Sequence, residues 1–196
     1  MIKLNLNGET LTKLQELTGT SSYEFLGFTI DLENSTLTDN LNQLEQNLSE
    51  WAIQILTVLL SHYASANPIA QTGKLLKFKD APGGYAYEDA FAKRAIEPVA
   101  DCFGENPDEL PKAAMLLGGT QLEIGDASAQ IPALKGILLT YILWGTDEFT
   151  ASANILYDSS ASNYLPTEDL AVLGEITTLR LIEAKKLLIE KNKSAL

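Results

Sequence analysis

The sequence is poor in the residues that most often build redox and metal centres. It has one cysteine and one histidine among 196 residues. The lone Cys102 excludes an internal disulfide, and within one chain it excludes a four-cysteine zinc or iron–sulfur site. The first ten residues hold no apolar signal core, and the apolar stretch 51–60 is far shorter than the roughly 20 residues of a membrane span. We therefore expect a cytoplasmic protein without a membrane anchor.

Basic residues are also scarce. Lysine and arginine number 14 against 26 acidic residues, which gives a formal net charge of -12. A field of that sign repels phosphate backbones and anionic lipid surfaces, so we expect that nucleic acid is not the main partner. The hydrophobic content of 45% and the chain length are those of an ordinary globular domain with its own core.

Apolar periodicity and turn residues predict an α+β fold in a single domain. Strands are predicted over residues 74–79, 120–124, 127–131, 137–144 and 152–158, with a further hairpin over 23–38. Helices are predicted after Thr10 up to Gly19, and over residues 47–65, 86–104, 107–117 and 167–191, with a kink or break at Pro98. Short connections favour a mostly antiparallel sheet. Because residues 137–144 are apolar on both faces, they should form a central strand.

The helix predicted over residues 47–65 has an unusually wide apolar arc. Trp51, Ile55 and Val58 form one stripe, and further apolar residues fill most of the remaining circumference. Such a helix is typical of a largely buried position, which predicts that Trp51 is a core residue. His62 continues the same stripe, and we expect it to be packed or to satisfy the carbonyl end of the helix rather than to act as a base.

Four ordered motifs carry a family resemblance. They are GGYAYEDAFAKRAIEPVADCFG, LGGTQLEIGDASAQIPAL, TYILWGTDEF and NILYDSSASNYLPTEDLAVLGEI. Together they resemble the prokaryotic family known as domain of unknown function 3786, over about residues 70–176 and more loosely from residue 10, with 177–196 as a helical extension. The resemblance implies no established activity. Some relatives carry an added cysteine-rich iron–sulfur segment, and the family resembles a companion of anaerobic cofactor metabolism, but this chain lacks those cysteines.

The segment after the strand 152–158 has a metal-site pattern. Asp158, Ser160 and Ser162 match the spacing in which one carboxylate and two hydroxyls offer hard oxygen ligands to Mg²⁺. The full site would need further ligands from later strands, and only a helical segment follows. The alternative is a turn in which the side chains bond to their own backbone, followed by a helix capped by Thr167. We expect the turn and no metal ion.

The segment 74–94 gathers cations in an otherwise acidic chain. Its candidate ligand-binding residues are Lys77, Lys79, Gly83, Gly84, Tyr85, Tyr87 and Arg94. The two lysines would share one strand face, the glycines would let the backbone approach a ligand, and the tyrosines would stack on a planar ring. The alternative is a solvated strand edge that lysines protect from pairing.

Other reactive groups have weaker support. Asp126 has the position of a hairpin turn residue, and a carboxylate pair with Asp158 or Asp169 stays open. Asp101 beside Cys102 should raise the pKa of the thiol and so disfavour a reactive cysteine.

No complete catalytic constellation emerges, so the sequence decides neither enzyme activity nor a cofactor. Two functions remain. The first is a domain that binds an anionic or planar small molecule. The second is a structural or interaction module that uses an apolar strip of the last helix, for example in a homodimer.

Overall fold

The computed structural model describes residues 1–41, 48–147 and 149–194. The helices are α1 (Gly8–Thr18), α2 (Glu50–Tyr63), α3 (Glu88–Phe91), α4 (Glu97–Phe103), α5 (Glu109–Met115) and α6 (Thr167–Ser194). The strands are β1 (Ile2–Lys3), β2 (Ser22–Phe25), β3 (Phe28–Asp31), β4 (Thr36–Asp39), β5 (Leu75–Lys77), β6 (Thr120–Leu122), β7 (Ala127–Leu134), β8 (Ile137–Trp144) and β9 (Ser152–Asp158). Three predictions reach outside the described residues: a helix start at Asn47, Glu148 in one of the quoted motifs, and residues 195–196 at the end of the helical extension.

A five-stranded antiparallel sheet forms the centre of the fold. Its order is β5-β9-β8-β7-β6, and each neighbouring pair is antiparallel. The predicted α+β class and mostly antiparallel sheet are confirmed. Strand β8 is the middle strand, as its two apolar faces predicted, because only a strand covered on both sides keeps so many apolar residues from water.

A smaller sheet has the order β1-β4-β3-β2. The predicted hairpin is present as β3 and β4, in which Asp31 accepts hydrogen bonds from the turn amides of Glu33 and Asn34, both at 2.9 Å. Strand β2 joins β3 through Leu26 and Gly27, which both have positive φ, of 50° and 74°. Two successive left-handed residues are the geometry of the tight hairpin turns that suit the twist of the strands.

Helix α2 is less buried than its composition predicted. Leu56, Leu59, Leu60 and Tyr63 face the core, while Trp51 is 67% exposed, so the prediction of a core Trp51 is wrong. The main packing partners of α2 are α1 and α6. These cover one side of the helix, and because its apolar arc is wider than that side, the surplus stays at the surface.

The helical segment before residue 104 contains the predicted irregularity. A π-helical turn over Ala92–Ile96 separates α3 from α4, and Pro98 follows in the first turn of α4. Since Pro98 has no amide hydrogen, it cannot bond the carbonyl four residues earlier, and a π turn is one way in which a helix absorbs such a defect. The turn places Arg94 on the side of α6.

Helix α6 contacts both sheets. Its buried residues include Leu170, Leu173, Thr177, Leu181 and Ala184. Arg180, only 4% exposed, extends from α6 to the small sheet, where it makes a bidentate contact with Asp39 at 2.5 and 3.0 Å and lies 3.9 Å above the ring of Phe28. Arg180 thus fixes the small sheet against α6.

Among the described helices, none combines the length and the apolarity needed to cross a membrane.

Candidate functional site

The two lysines of the basic segment lie in different local structures. Strand β5 ends at Lys77, and Lys79 lies in a 3-10 turn over Phe78–Asp80. The prediction that both share one strand face is therefore wrong. The chain leaves the sheet because Phe78 turns into the core, where its ring stacks on Phe91 with centroids 4.3 Å apart. Lys77 is exposed, and the ammonium of Lys79 lies 3.4 Å from Glu88.

The glycine pair serves the packing of this turn. Gly83 has a φ of +79°, which favours glycine. A Cβ on Gly84 would lie 2.1 Å from the carbonyl oxygen of Phe78, so no side chain fits there. The hydroxyl of Thr167 donates to the Pro82 carbonyl at 2.6 Å, which ties this loop to the first residue of α6. Thr167 was predicted to cap that helix, and its hydroxyl instead serves the neighbouring loop.

The remaining residues of the segment separate into two groups. Tyr85 is 80% exposed. Tyr87 and Arg94 line a small recess of about 160 Å³ together with Glu175 of α6, and the guanidinium of Arg94 lies 3.9 Å from the Glu175 carboxylate. Arg94 therefore belongs to the surface between the π-helical turn and α6.

An open groove lies on that side between α2 and α6, and we call it the α2–α6 groove. Its main part has a volume of about 490 Å³. Its apolar lining includes Trp51, Ile55, Val172, Ile176 and Leu179, and its charged lining is Arg94, Arg180, Glu175 and Glu183. A volume of this size lies within the range of small-molecule sites, which are mostly apolar with a few polar groups.

A side lobe extends the groove toward the carboxyl end of α2. The lobe has a volume of about 280 Å³ and shares Trp51, Ile55 and Val172 with the main part. Val58 and Asp169 complete its far end. The stripe that the sequence placed on one face of this helix thus forms one wall of a cleft.

Two arginines lie on the groove, and they differ in availability. Arg180 is buried and engaged by Asp39 and by Glu183, whose carboxylate lies 2.6 Å away. The Arg94 side chain is 68% exposed, and its contact with Glu175 at 3.9 Å is a loose surface pair. Because surface pairs of this kind contribute little free energy, Arg94 can exchange Glu175 for a ligand anion at low cost.

The loop after β9 is organised by Asp158. The carboxylate accepts bonds from the Thr72 amide and hydroxyl, both at 3.0 Å, from the Gly73 amide at 2.7 Å and from the Ser160 amide at 2.9 Å. Burial acts to raise the pKa of this carboxyl, but hydrogen bonds from Ser160 and Thr72 outweigh it and hold the pKa well below the ordinary 3.8. The geometry is that of the turn predicted as the alternative to a metal site, extended to a second loop.

The other acidic residues of interest have separate partners. Asp126 lies in the turn before β7, and its carboxylate accepts a bond from the Gly145 amide at 2.8 Å. The Asp126 amide bonds Leu143, which pairs with Ala153 near the start of β9. Asp158 ends that strand five residues later, roughly 17 Å away at about 3.4 Å per residue, so these two carboxylates form no pair.

His62, the only histidine in the sequence, contacts an acidic residue. Nδ1 of His62 lies 2.6 Å from Oδ2 of Asp169, a residue 107 positions away. The His62 side chain is half-exposed, and that of Asp169 is nearly buried. The pair of His62 and Asp169 was not predicted from the sequence.

The surroundings of Cys102 do not favour a nucleophilic thiolate. Burial raises the pKa of its thiol, and the nearby Lys185 offsets only part of that effect. The predicted direction is confirmed, although burial rather than the neighbouring Asp101 is the main cause.

Most of the groove, including Val172, Glu175 and Ile176, was not predicted from the sequence. One signal was present. Helix α2 carries more apolar surface than a single packing face can bury. An excess of that kind is compatible with a fully buried helix, but also with a helix that leaves part of its apolar surface exposed.

The chain matches the profile of the family described as domain of unknown function (DUF3786) over residues 14–180. It belongs to that family, as the motifs predicted, and the match begins well before residue 70 and includes Arg180. No curated protein and no solved structure gives a significant match to the chain.

Proposed function

We propose that this member of the family binds a small molecule with a planar apolar body and an anionic group in the α2–α6 groove. The observation that carries the proposal is the groove itself, an apolar cleft about 490 Å³ in volume with an exposed indole on its wall and an exposed guanidinium beside it. Trp51 supplies a flat face for a ring, and Arg94 supplies paired donors for a carboxylate, sulfonate or phosphate.

Exposure of the apolar wall supports the same conclusion. Trp51 is 67% exposed and Leu179 is 50% exposed, and both lie on the groove. Leaving such side chains in water has a free-energy cost, which a bound apolar ligand would remove. The cytoplasm is the compartment we expect, because a chain with one cysteine needs no oxidising environment.

The test uses two fluorescent probes of similar shape and different charge. Anilinonaphthalene sulfonate is anionic, and phenylnaphthylamine is neutral. We expect both to bind the wild-type chain. Arg94→Gln should weaken the anionic probe about tenfold, which is about 1.4 kcal/mol, and should leave the neutral probe unchanged. Lys93→Gln is the matched control, since it removes an exposed adjacent charge that does not line the groove.

A second variant tests the location. Val172 lies where the main groove and its lobe meet. Val172→Trp should fill that point and weaken both probes. Equal binding of the anionic probe to the wild-type chain, Arg94→Gln and Val172→Trp would overturn the proposal. Lys77, Lys79 and Tyr85 do not line the groove, and their role in binding stays a prediction that Lys77→Gln tests with the same probe.

The exposed apolar side chains also support a second candidate function, an interaction module that receives a helix of a partner chain or a second copy of this chain. Leu179 on α6 is the observation that favours it, because half of its side chain faces water beside the groove. Light scattering after size-exclusion chromatography separates the two functions. A dimer that Leu179→Glu dissociates would support the interaction module, and a monomer that binds the probes would support the small-molecule site.

A further inference from the structure

The ion pair of Arg94 and Glu175 lies at the junction of two cavities. Both residues line the α2–α6 groove, and both line the recess of about 160 Å³ beside it. Nη1 of Arg94 is 3.9 Å from Oε2 of Glu175, and among the described residues neither side chain has another ion pair or hydrogen bond. A ligand at this junction therefore meets a positive and a negative group next to each other.

The other charged residues of the groove are engaged with each other. Nη1 of Arg180 lies 2.6 Å from the carboxylate of Glu183, and its Nη2 contacts Asp39. The Arg180 side chain is 4% exposed and held by these two carboxylates, so it has no freedom to turn toward a ligand. The charged groups left for recognition in the groove are Arg94 and Glu175.

A simple anion matches only half of this pair. Because the two charged groups are 3.9 Å apart, an anion that contacts Arg94 is also repelled by the Glu175 carboxylate. Glu168 is exposed, lines the recess and adds a second negative charge there. Since acidic groups outnumber cations around the junction, a ligand that carries a positive group beside its negative one fits better than an anion alone.

An α-amino acid carries such a pair of charges. Its ammonium nitrogen and its carboxylate carbon are bonded to the same carbon atom and lie about 2.5 Å apart by standard bond lengths and angles. With the carboxylate at Arg94 and the ammonium at Glu175, every charge has a partner of opposite sign. The head group is neutral as a whole, so the protein's net charge of -12 does not repel it.

The apolar lining beside the pair favours an aromatic side chain. On α6, Val172 and Leu179 lie about one helical turn before and after Glu175, and side chains with that spacing are neighbours on one helix face. On α2, Trp51 lines the same groove with an indole that is 67% exposed. An aromatic ring is favoured over an aliphatic chain, because it stacks on the indole in addition to burying apolar area.

We propose that the ligand of the α2–α6 groove is a free aromatic α-amino acid, whose carboxylate binds Arg94, whose ammonium binds Glu175 and whose ring packs against Trp51. The inference rests on the proposed function, since it names the class of ligand for the same groove. It makes Glu175 a specificity-determining residue, which the proposed function does not require.

Displacement of phenylnaphthylamine from the groove tests the proposal with three compounds that share an indole ring. Tryptophan carries both charged groups, indole-3-propionate carries only the acid, and tryptamine carries only the ammonium. We expect tryptophan to displace the neutral probe at a concentration about tenfold lower than either analogue, since only tryptophan has a partner for both Arg94 and Glu175.

Two variants that remove one charge each separate the contacts. Arg94→Gln should weaken tryptophan about tenfold without weakening tryptamine. Glu175→Gln should weaken tryptophan and tryptamine and strengthen indole-3-propionate, because the carboxylate that attracts an ammonium and repels an acid is gone. Glu97→Gln is the matched control for Glu175→Gln. It makes the same change in net charge at an exposed position of α4 that lines neither cavity, so all three affinities should stay as in the wild-type chain.

The results distinguish the failure of this inference from the failure of the proposed function. If indole-3-propionate displaces the probe as well as tryptophan does, or if tryptophan does not displace it, the inference fails. The proposed function then still stands if anilinonaphthalene sulfonate binds through Arg94. If tryptamine equals tryptophan and Arg94→Gln weakens no anionic compound, the groove is a cation site and both proposals fail. If neither phenylnaphthylamine nor anilinonaphthalene sulfonate binds the wild-type chain, the proposed function fails and the inference fails with it.

Discussion

The carboxylate of Asp158 shows how one side chain holds two loops together. It receives hydrogen bonds from Thr72 and Gly73 on one side and from Ser160 on the other. Removing it would leave the buried amide of Ser160 without its acceptor, and the loss of an acceptor from a buried donor costs more than the loss of the bond itself. The side chain therefore acts well beyond the local turn that its sequence position indicated.

We predict that Asp158→Asn lowers the free energy of unfolding by about 2–3 kcal/mol near neutral pH, since hydrogen bonds to a charged group are lost. Asp126→Asn is the matched control. Its carboxylate accepts one bond, from Gly145, at an exposed site, and its loss should cost less than about 1 kcal/mol. Urea unfolding of both variants measures the difference, and equal losses would contradict this account.

The same variant has a pH signature. The pKa of Asp158 is held below its ordinary 3.8, so in acid the folded state binds fewer protons than the unfolded state. Its contribution to stability is therefore complete above that ordinary pKa and is lost as the pH falls toward the lower folded value. The stability difference between the wild-type chain and Asp158→Asn should shrink in that acidic range, and a difference independent of pH would be evidence against the depressed pKa.

Replacing Trp51 should have a much smaller effect on stability than replacing an aromatic residue of the core. Because the residue is 67% exposed, Trp51→Ala should change the free energy of unfolding by less than about 1 kcal/mol. Leu60→Ala, on the same helix and fully buried, should cost about 2–5 kcal/mol. Thermal unfolding compares the two variants, and a large loss at Trp51 would place the indole in the core after all.

At the scale of elements, α6 is fitted to the central sheet by a glycine. A Cβ on Gly174 would lie 2.4 Å from the Tyr157 hydroxyl and 2.6 Å from the ring of Phe91. The Tyr157 hydroxyl also donates to the Leu170 carbonyl at 2.9 Å, which holds the ring in place against the helix. Two aromatic side chains thus occupy the space that any other residue at position 174 would need.

We predict that Gly174→Ala destabilises the protein by about 1–3 kcal/mol, because overpacking outweighs the gain in helix propensity of about 1 kcal/mol. Gly8→Ala is the matched control, since a Cβ at Gly8 in α1 would meet nothing within 4 Å. That change should be neutral or slightly stabilising. A stabilising Gly174→Ala, measured by thermal unfolding, would mean that α6 moves away from Tyr157 easily.

Elements were predictable from sequence where the pattern and the packing agree. Strands β8 and β9 have the predicted bounds. For β8 the reason is that an apolar run buried on both faces has one stable environment. The faces of α2 were not predictable, since its apolar arc is wider than its packing partners and composition does not say which part stays outside. Arg180 was missed for a related reason, because a charged residue within a helix is typical of a solvated face, and only the fold brings Asp39 to it.

The candidate site was less predictable than the fold. The sequence identified Arg94 and Tyr87 and placed His62 on the stripe of Trp51, but the contact of His62 with Asp169 joins residues 107 positions apart. Such a contact follows from the packing of α2 against α6 and has no local signature. The sequence also grouped Lys77 with Arg94 by charge alone, whereas the π-helical turn directs Arg94 to α6.

At the scale of the whole molecule, the proposed anion site lies in a repulsive field. The net charge of -12 opposes the approach of an anion, and Arg94 attracts it only at close range. The two effects respond differently to salt. The Debye length falls from about 30 Å at 10 mM to about 8 Å at 150 mM, so salt screens the distant charges strongly and a contact of a few ångströms much less.

We therefore predict that raising the salt concentration over that range tightens binding of anilinonaphthalene sulfonate by a few-fold. Phenylnaphthylamine should show no change, because it has no charge for either effect to act on, and it serves as the control for general salt effects on apolar binding. Fluorescence titrations measure both affinities.

In Arg94→Gln the affinity for the anionic probe should depend on salt concentration more steeply, since the attraction by Arg94 is gone and salt screens only the repulsion by the net negative charge. Weaker binding of the anionic probe at higher salt would mean that a cluster of cations dominates the site, and the segment with Lys77 and Lys79 would then be a better candidate than the groove.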